Sequence, residues 1–242
     1  LPELQSQLLG FPTGRIDAPN ALAYALTLRP GSVIYDGFTV QNIFEDLEPV
    51  PGVTCHLAVN VSAYATTGVL VQYVDGALHV IADWAREGDP GLTLEPIVQE
   101  ASIEAGVSVK LVAPEDHFDN YDTLGLRAAA ASVPVTIKKG GPAGIGREQI
   151  RDLTGKQTKG LPALKVGTNA RWTLNAFAGG YAREITRKGI LSDFAQEGVY
   201  RTLMEGLESF ASLMRYVDRD VRDGVPNYKV TPDGRRYISA RE

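Results

Sequence analysis

"TGVLVQYVDGALHVIADWA", residues 67–85, decides how the rest of the chain is read. Two runs of alternating apolar residues flank Asp75-Gly76. That dipeptide favours the left-handed backbone of a type I′ turn, so the stretch predicts a tight antiparallel hairpin. Working outward, "CHLAVNVSA" (55–63) also alternates and is rich in β-branched residues, which predicts a strand completing a three-strand antiparallel meander. Downstream, "LTLEPIVQEASIEAG" (92–106) has the period of an amphipathic helix and ends on Gly106. "VSVKLVAPED" (107–116) then predicts a short buried strand ending in acids.

Further along, the pattern predicts a helix at 124–131, a strand at "VPVTIKK" (133–139) and a basic helix at "GREQIRDLT" (146–154). A last strand is expected at "LPALKVG" (161–167), and "ARWTLNAFAGG" (170–180) reads as a helix broken by two glycines. Leu203, Leu207, Phe210 and Met214 recur at helical spacing, predicting one long helix from about Ser192 to Tyr216. The fold class is therefore α/β, a mixed sheet flanked by helices. Three segments are expected: an N-terminal helix and extended arm (1–52), the domain (53–216) and a loose charged tail (217–242).

At the start of the chain, Asp17 in "GRIDAPNALAYAL" (14–26) is placed to cap a helix, with Pro19 in the first turn. Residues 30–52, with an acidic centre and prolines and glycines at the edges, read as an arm or linker. The abrupt beginning suggests a fragment of something longer.

Composition narrows the class. Hydrophobic residues make up 44% and charged residues 22% of the 242, an ordinary globular balance. One cysteine, Cys55, excludes an internal disulfide framework and a multi-cysteine metal site, and favours a reducing compartment. No apolar run is long enough to span a bilayer. The net charge of −5 is unevenly spread: from Lys138 to Lys188 there are eleven Lys/Arg against three Asp/Glu. Such a stretch is either a footprint for a phosphate backbone or a solvated face. On the first reading Lys138, Lys139, Arg147, Arg151, Lys156 and Lys159 contact DNA. "GGPAGIGREQ" (140–149) precedes a helix and has the glycines to approach a phosphate. It lacks the Lys-Ser/Thr pair of a Walker A loop, so no ATP site is expected. Trp84, Trp172 and Tyr181 are expected in the core rather than stacked on bases.

The element order is similar to the RNase H-like fold. Within it, "GREQIRDLTGKQTKG" (146–160), "GLPALKVGTNARWTLNAFAGGYAREI" (160–185) and the opening "RIDAPNALAYAL" (15–26) resemble the nuclease region of bacteriophage terminase large subunits. The resemblance implies a metal-dependent endonuclease that binds and cuts duplex DNA during viral genome packaging in the host cytoplasm. It implies Mg²⁺ or Mn²⁺ as cofactor, with the portal and other terminase subunits as further partners.

Carried over residue by residue, the resemblance places the first-strand metal ligand at Asn60, which is neutral where the family has Asp. A natural Asn and an engineered Asp→Asn change look the same in the sequence. The acids after the next parallel strand become Glu115 and Asp116 in "PEDHFDNYD" (114–122), beside His117. Asp119 and Asp122 read as loop acids. The late-helix acid aligns with Glu205 in "MEGLESF" (204–210), about 200° around the helix from Leu203 and so off the apolar stripe. Asp116 and Glu205 are the expected metal ligands. Asp17 is a helix cap, or the acid of an upstream nuclease. The set leaves two readings: an endonuclease with an incomplete carboxylate set, or a catalytically degenerate domain serving DNA binding or docking.

Overall fold

A computed structural model of the chain describes residues 33–88, 94–107, 109–114, 137–185, 190–214, 228–230 and 236–238. The core of the fold is the hairpin. β3 (Ala65–Val74) and β4 (Ala77–Glu87) pair with Val74 opposite Ala77. Asp75 and Gly76 both take positive φ, 51° and 84°, as a type I′ turn requires. β2 (His56–Val61) pairs antiparallel to β3, completing the meander. A bulge inserts one extra residue in β4: Leu70 faces Ala82 while Val71 faces Val80.

Four more strands widen this sheet. β5 (Lys110–Ala113) and β6 (Ile137–Lys139) extend it in parallel beyond β2, while β9 (Leu164–Gly167) and β1 (Ile43–Phe44) extend it in parallel beyond β4. The seven strands thus run in the order β1-β9-β4-β3-β2-β5-β6. Every one except β3 points the same way. Their C-terminal ends form one edge of the sheet, where α/β folds collect ligands.

Two layers cover the sheet. α1 (Leu94–Ala105) packs Leu94, Ile97, Val98 and Ala101 on one face, against Leu57, Val59 and Leu70. Gly106, at φ 64°, ends the helix. On the other face lie α2 (Ala143–Gly155), the short α3 (Arg171–Asn175) and α4 (Val199–Ala211), enclosing Ala58, Val69, Val71, Leu78 and Val80. Leu203, Leu207, Phe210 and Met214 are buried there, as their spacing predicts.

Three expectations change. The long helix from Ser192 does not exist: β11 (Leu191–Ala195) pairs antiparallel with β10 (Arg183–Ile185), and α4 starts only after Gly198, whose φ of 141° lies outside the helical region. The strand at 161–167 is two pieces. Leu161–Pro162 (β8) turns back on Gln157–Thr158 (β7), and only Leu164–Gly167 joins the main sheet. Residues 34–44, expected in an arm, contribute to the core: Ile34, Tyr35 and Phe38 are buried, and Phe38 stacks on Phe177 at 4.5 Å.

Within the expected tail, Tyr228–Val230 (β12) and Arg236–Ile238 (β13) form an antiparallel pair. The helix expected at 124–131 lies outside the described residues, as do the Asp17 segment and the acids of 115–122.

Candidate functional site

β2 delivers the position where the resemblance expects a metal-binding acid. Alternation turns Leu57 and Val59 toward α1, and Ala58 and Asn60 toward α4. Asn60 is 4% exposed, and its Nδ2 donates to the backbone carbonyl of Thr202 at 2.8 Å. Two residues on, the Ser62 and Thr202 hydroxyls share a hydrogen bond at 2.7 Å. α4 comes this close because residue 206 is glycine: a Cβ there would stand 3.2 Å from the Asn60 Cβ and 3.4 Å from the Val59 carbonyl carbon. Thr202, Gly206 and Ser209, spaced i, i+4 and i+7, form the small-residue face that seats on the sheet.

Of the expected ligand set, only Asn60 and Glu205 fall among the described residues. The Asn60 Nδ2 is committed to the Thr202 carbonyl, so its Oδ1 is the one side-chain atom of a kind that coordinates a cation. Glu205 is turned along the helix to Arg201, whose Nε lies 2.7 Å from its Oε1. Among the described residues no group of three or more His, Cys, Asp or Glu is placed to hold a metal. Asp116, Glu115 and His117 lie outside those residues. Among the described residues, Asn60 and Glu205 alone do not make a divalent-ion site.

The basic run does not form one surface either. Arg147 turns inward: its Nε and Nη2 lie 3.0 and 3.1 Å from the two oxygens of Glu208, which has no exposed side chain, and its Nη2 donates to the Tyr181 hydroxyl at 2.6 Å. Tyr35 adds a hydroxyl donor to Glu208 at 2.6 Å. Burial pushes the Glu208 carboxyl up, against the opposing pull of Arg147, and raises both tyrosines well above their ordinary range. Arg151 bonds Glu148 and the Ile34 carbonyl.

Lys159 pairs with Asp75 at 2.6 Å, beside the hairpin turn. Asn60 faces Thr67, eight residues before Asp75 along β3, so this turn is roughly 25 Å from Asn60, at the opposite edge of the sheet. Lys156 and Lys159 therefore stand far from Lys139, which ends β6 on the Asn60 edge; of Lys138 only the backbone is described.

The glycines of 140–149 serve packing. Gly140 and Gly141 donate their amides to the carbonyls of Ala113 and Ser209. A Cβ on Gly146 would lie 1.6 Å from the Glu208 carbonyl oxygen. The stretch brings α2 against α4 and leaves these two amides committed to the fold.

What the sequence did not single out is a cleft of about 610 Å³ at the C-terminal end of β4, between α3 and the start of α4. Arg171, Trp172, Tyr200, Arg201, Glu87 and Glu197 are among the residues that line it. The Trp172 and Tyr200 rings are tilted at 5.8 Å. Glu197 is engaged by the Tyr64 hydroxyl and by Arg201. Asp83 on β4 fixes this wall by accepting from the Trp172 and Thr173 amides at 3.2 and 2.5 Å, a side-chain cap on α3. Burial pushes the Asp83 carboxyl up to about 6 against the pull of those amides. The N-cap of α4 is Gly198, which has no side chain to cap the helix, and Gly198 and Val199 also line the cleft. The available signal was positional: Arg171 and Arg201 each sit in the first turn of a helix.

No family model and no curated protein matches the sequence. Solved structures do. The large terminase of a thermophilic bacteriophage, in complex with ADP, superposes with a TM-score of 0.59 at 11% identity, covering 76% of this chain and 45% of that one. The P22 large terminase nuclease domain gives a TM-score of 0.57 at 11% identity, covering 79% of this chain and 98% of that one. The large terminase nuclease of thermophilic phage G20c, solved with bound magnesium, gives 0.50 at 10% identity, over 75% and 98%. This chain thus has the RNase H-like fold of terminase nuclease domains, and spans 45% of the length of the ADP-bound large terminase.

Proposed function

We propose that the chain is the nuclease-type module of a phage DNA-packaging terminase, and that it holds duplex DNA at the C-terminal edge of its sheet. The observation that carries this is the cleft between α3 and α4, with the exposed Arg171 in its wall and Arg201 beside it, held by Glu205 and Glu197. Guanidinium groups suit phosphate oxygens because they present several donors in a planar fork. The start of α4 lines the cleft and adds the partial positive charge of a helix N-terminus. Lys139 lies on the same edge. The fold likeness, over nearly the whole P22 domain, supports a terminase context.

Holding DNA is the role this geometry favours over cutting it. Cutting through paired divalent ions needs converging carboxylates. Among the described residues, position 60 carries an amide and Glu205 is bound to Arg201, while Glu115 and Asp116 lie outside them. An electrophoretic mobility shift with linear duplex, run over a salt series, tests the binding. The expected result is a retarded complex that dissociates steeply as salt rises, because bound phosphates release counterions. Absence of a complex at low salt refutes it. Plasmid in the same buffer with Mn²⁺ reports cutting, and cleavage that disappears in Asp116→Ala restores the endonuclease reading.

A further inference from the structure

We propose that Asn60 is a hydrogen-bond lock joining β2 to α4, built into the position where the fold would otherwise place a metal ligand. The amide is not a worn-down carboxylate waiting for its charge. Its Nδ2 meets a backbone carbonyl at 2.8 Å, a partner that accepts and cannot donate. A carboxylate at the same place sets two acceptor oxygens against each other. The neighbouring residues fit the amide: the Ser62 and Thr202 hydroxyls bond at 2.7 Å, fastening the same turn of α4 a second time. Gly206 admits the helix to within contact of the Asn60 Cβ, so the seam between β2 and α4 is closely packed. With Asn60 4% exposed, the seam is also shut to solvent.

The consequence is that changing residue 60 to Asp does not recover a cation site. It breaks the seam. This inference rests on the fold alone and stands independently of DNA binding at the cleft.

Thermal unfolding of the intact chain, with and without millimolar MnCl₂, tests it in three forms: wild type, Asn60→Ala and Asn60→Asp. Asn60→Ala removes the buried Nδ2 hydrogen bond to Thr202 and is expected to lower Tm by roughly 3 °C or more. Asn60→Asp is expected to lower it further, since it adds an oxygen facing an oxygen. Mn²⁺ is expected to leave the ranking unchanged, and an equal Mn²⁺ shift in all three forms agrees with the proposal by placing the ion elsewhere. Asn60→Asp that matches the wild type, or gains several degrees specifically with Mn²⁺, overturns it. Should the Asp form fail to fold, the Ala form decides: a Mn²⁺-dependent stabilisation of the wild type that Asn60→Ala abolishes overturns the proposal, and one it retains supports it.

Discussion

The Glu208 carboxylate, enclosed on all sides, receives both the Nε and the Nη2 of Arg147, at 3.0 and 3.1 Å. The pair ties α2 to α4, and Tyr35 and Tyr181 bring the 33–38 segment and the turn after α3 into the same network. Removing one member leaves a buried, uncompensated charge. Arg147→Met is expected to destabilise the fold by about 3–5 kcal/mol, measured by urea unfolding. Adding Glu208→Gln removes the stranded charge. The double variant is expected to be more stable than the sum of the two singles by about 1 kcal/mol or more. Simple additivity contradicts the coupling.

Two neighbouring glycines on α2 separate packing from propensity. Gly146→Ala drives a methyl into the Glu208 backbone and is expected to cost about 3 kcal/mol or more, because neither backbone has room to yield. Gly144 has nothing within 4 Å of an added Cβ and is exposed. Gly144→Ala is therefore expected to stabilise by about 0.5–1 kcal/mol. Thermal melts of the two variants should move in opposite directions.

Acid titration should expose two opposed groups on β4. His79 is buried, and burial together with the charge of Lys165 lowers its pKa to about 4. Its contribution is present above the ordinary histidine value of 6.5 and is lost as pH falls toward 4. Asp83, raised to about 6, works the other way: its contribution is present below the ordinary value near 3.8 and is lost as pH rises through 6. Each effect amounts to about 3 kcal/mol at most, less for Asp83 because solvent partly reaches it. His79→Gln should make stability rise on acidification from about pH 6.5 to about 4, and Asp83→Asn should make it fall. Denaturation midpoints across that range check both; matching slopes in the two variants contradict the assignment.

Local signals in the sequence carried the centre of the fold. Asp75-Gly76 specified its turn because few dipeptides tolerate two successive positive φ values, and Gly106 ended α1 for the same backbone reason. The apolar stripe of α4 was legible as well. Its beginning was not, since Leu191–Ala195 became a strand only by pairing with Arg183–Ile185, a contact periodicity does not encode.

The site was harder to read for a similar reason. A count of charges along 138–188 cannot tell that Gly146 lets α2 pack so closely that Arg147 faces Glu208. Nor can it tell that the β7–β8 hairpin carries Lys159 to the far edge of the sheet. Asn60 was found through the resemblance. The Thr202, Gly206 and Ser209 face, which explains why an amide belongs opposite it, was the overlooked signal.

Fluorescence anisotropy of a short labelled duplex across a salt series distinguishes the two edges of the sheet directly. Two paired variants are compared with the wild type: Arg171→Ala with Arg201→Ala in the cleft, and Lys156→Ala with Lys159→Ala at the opposite edge. Loss of two phosphate contacts is expected to weaken binding by roughly tenfold or more and to reduce the salt slope by about 2 in the cleft pair. The lysine pair should bind within about twofold of the wild type. Loss of binding in the lysine pair with the cleft pair unaffected would contradict DNA binding at the C-terminal edge.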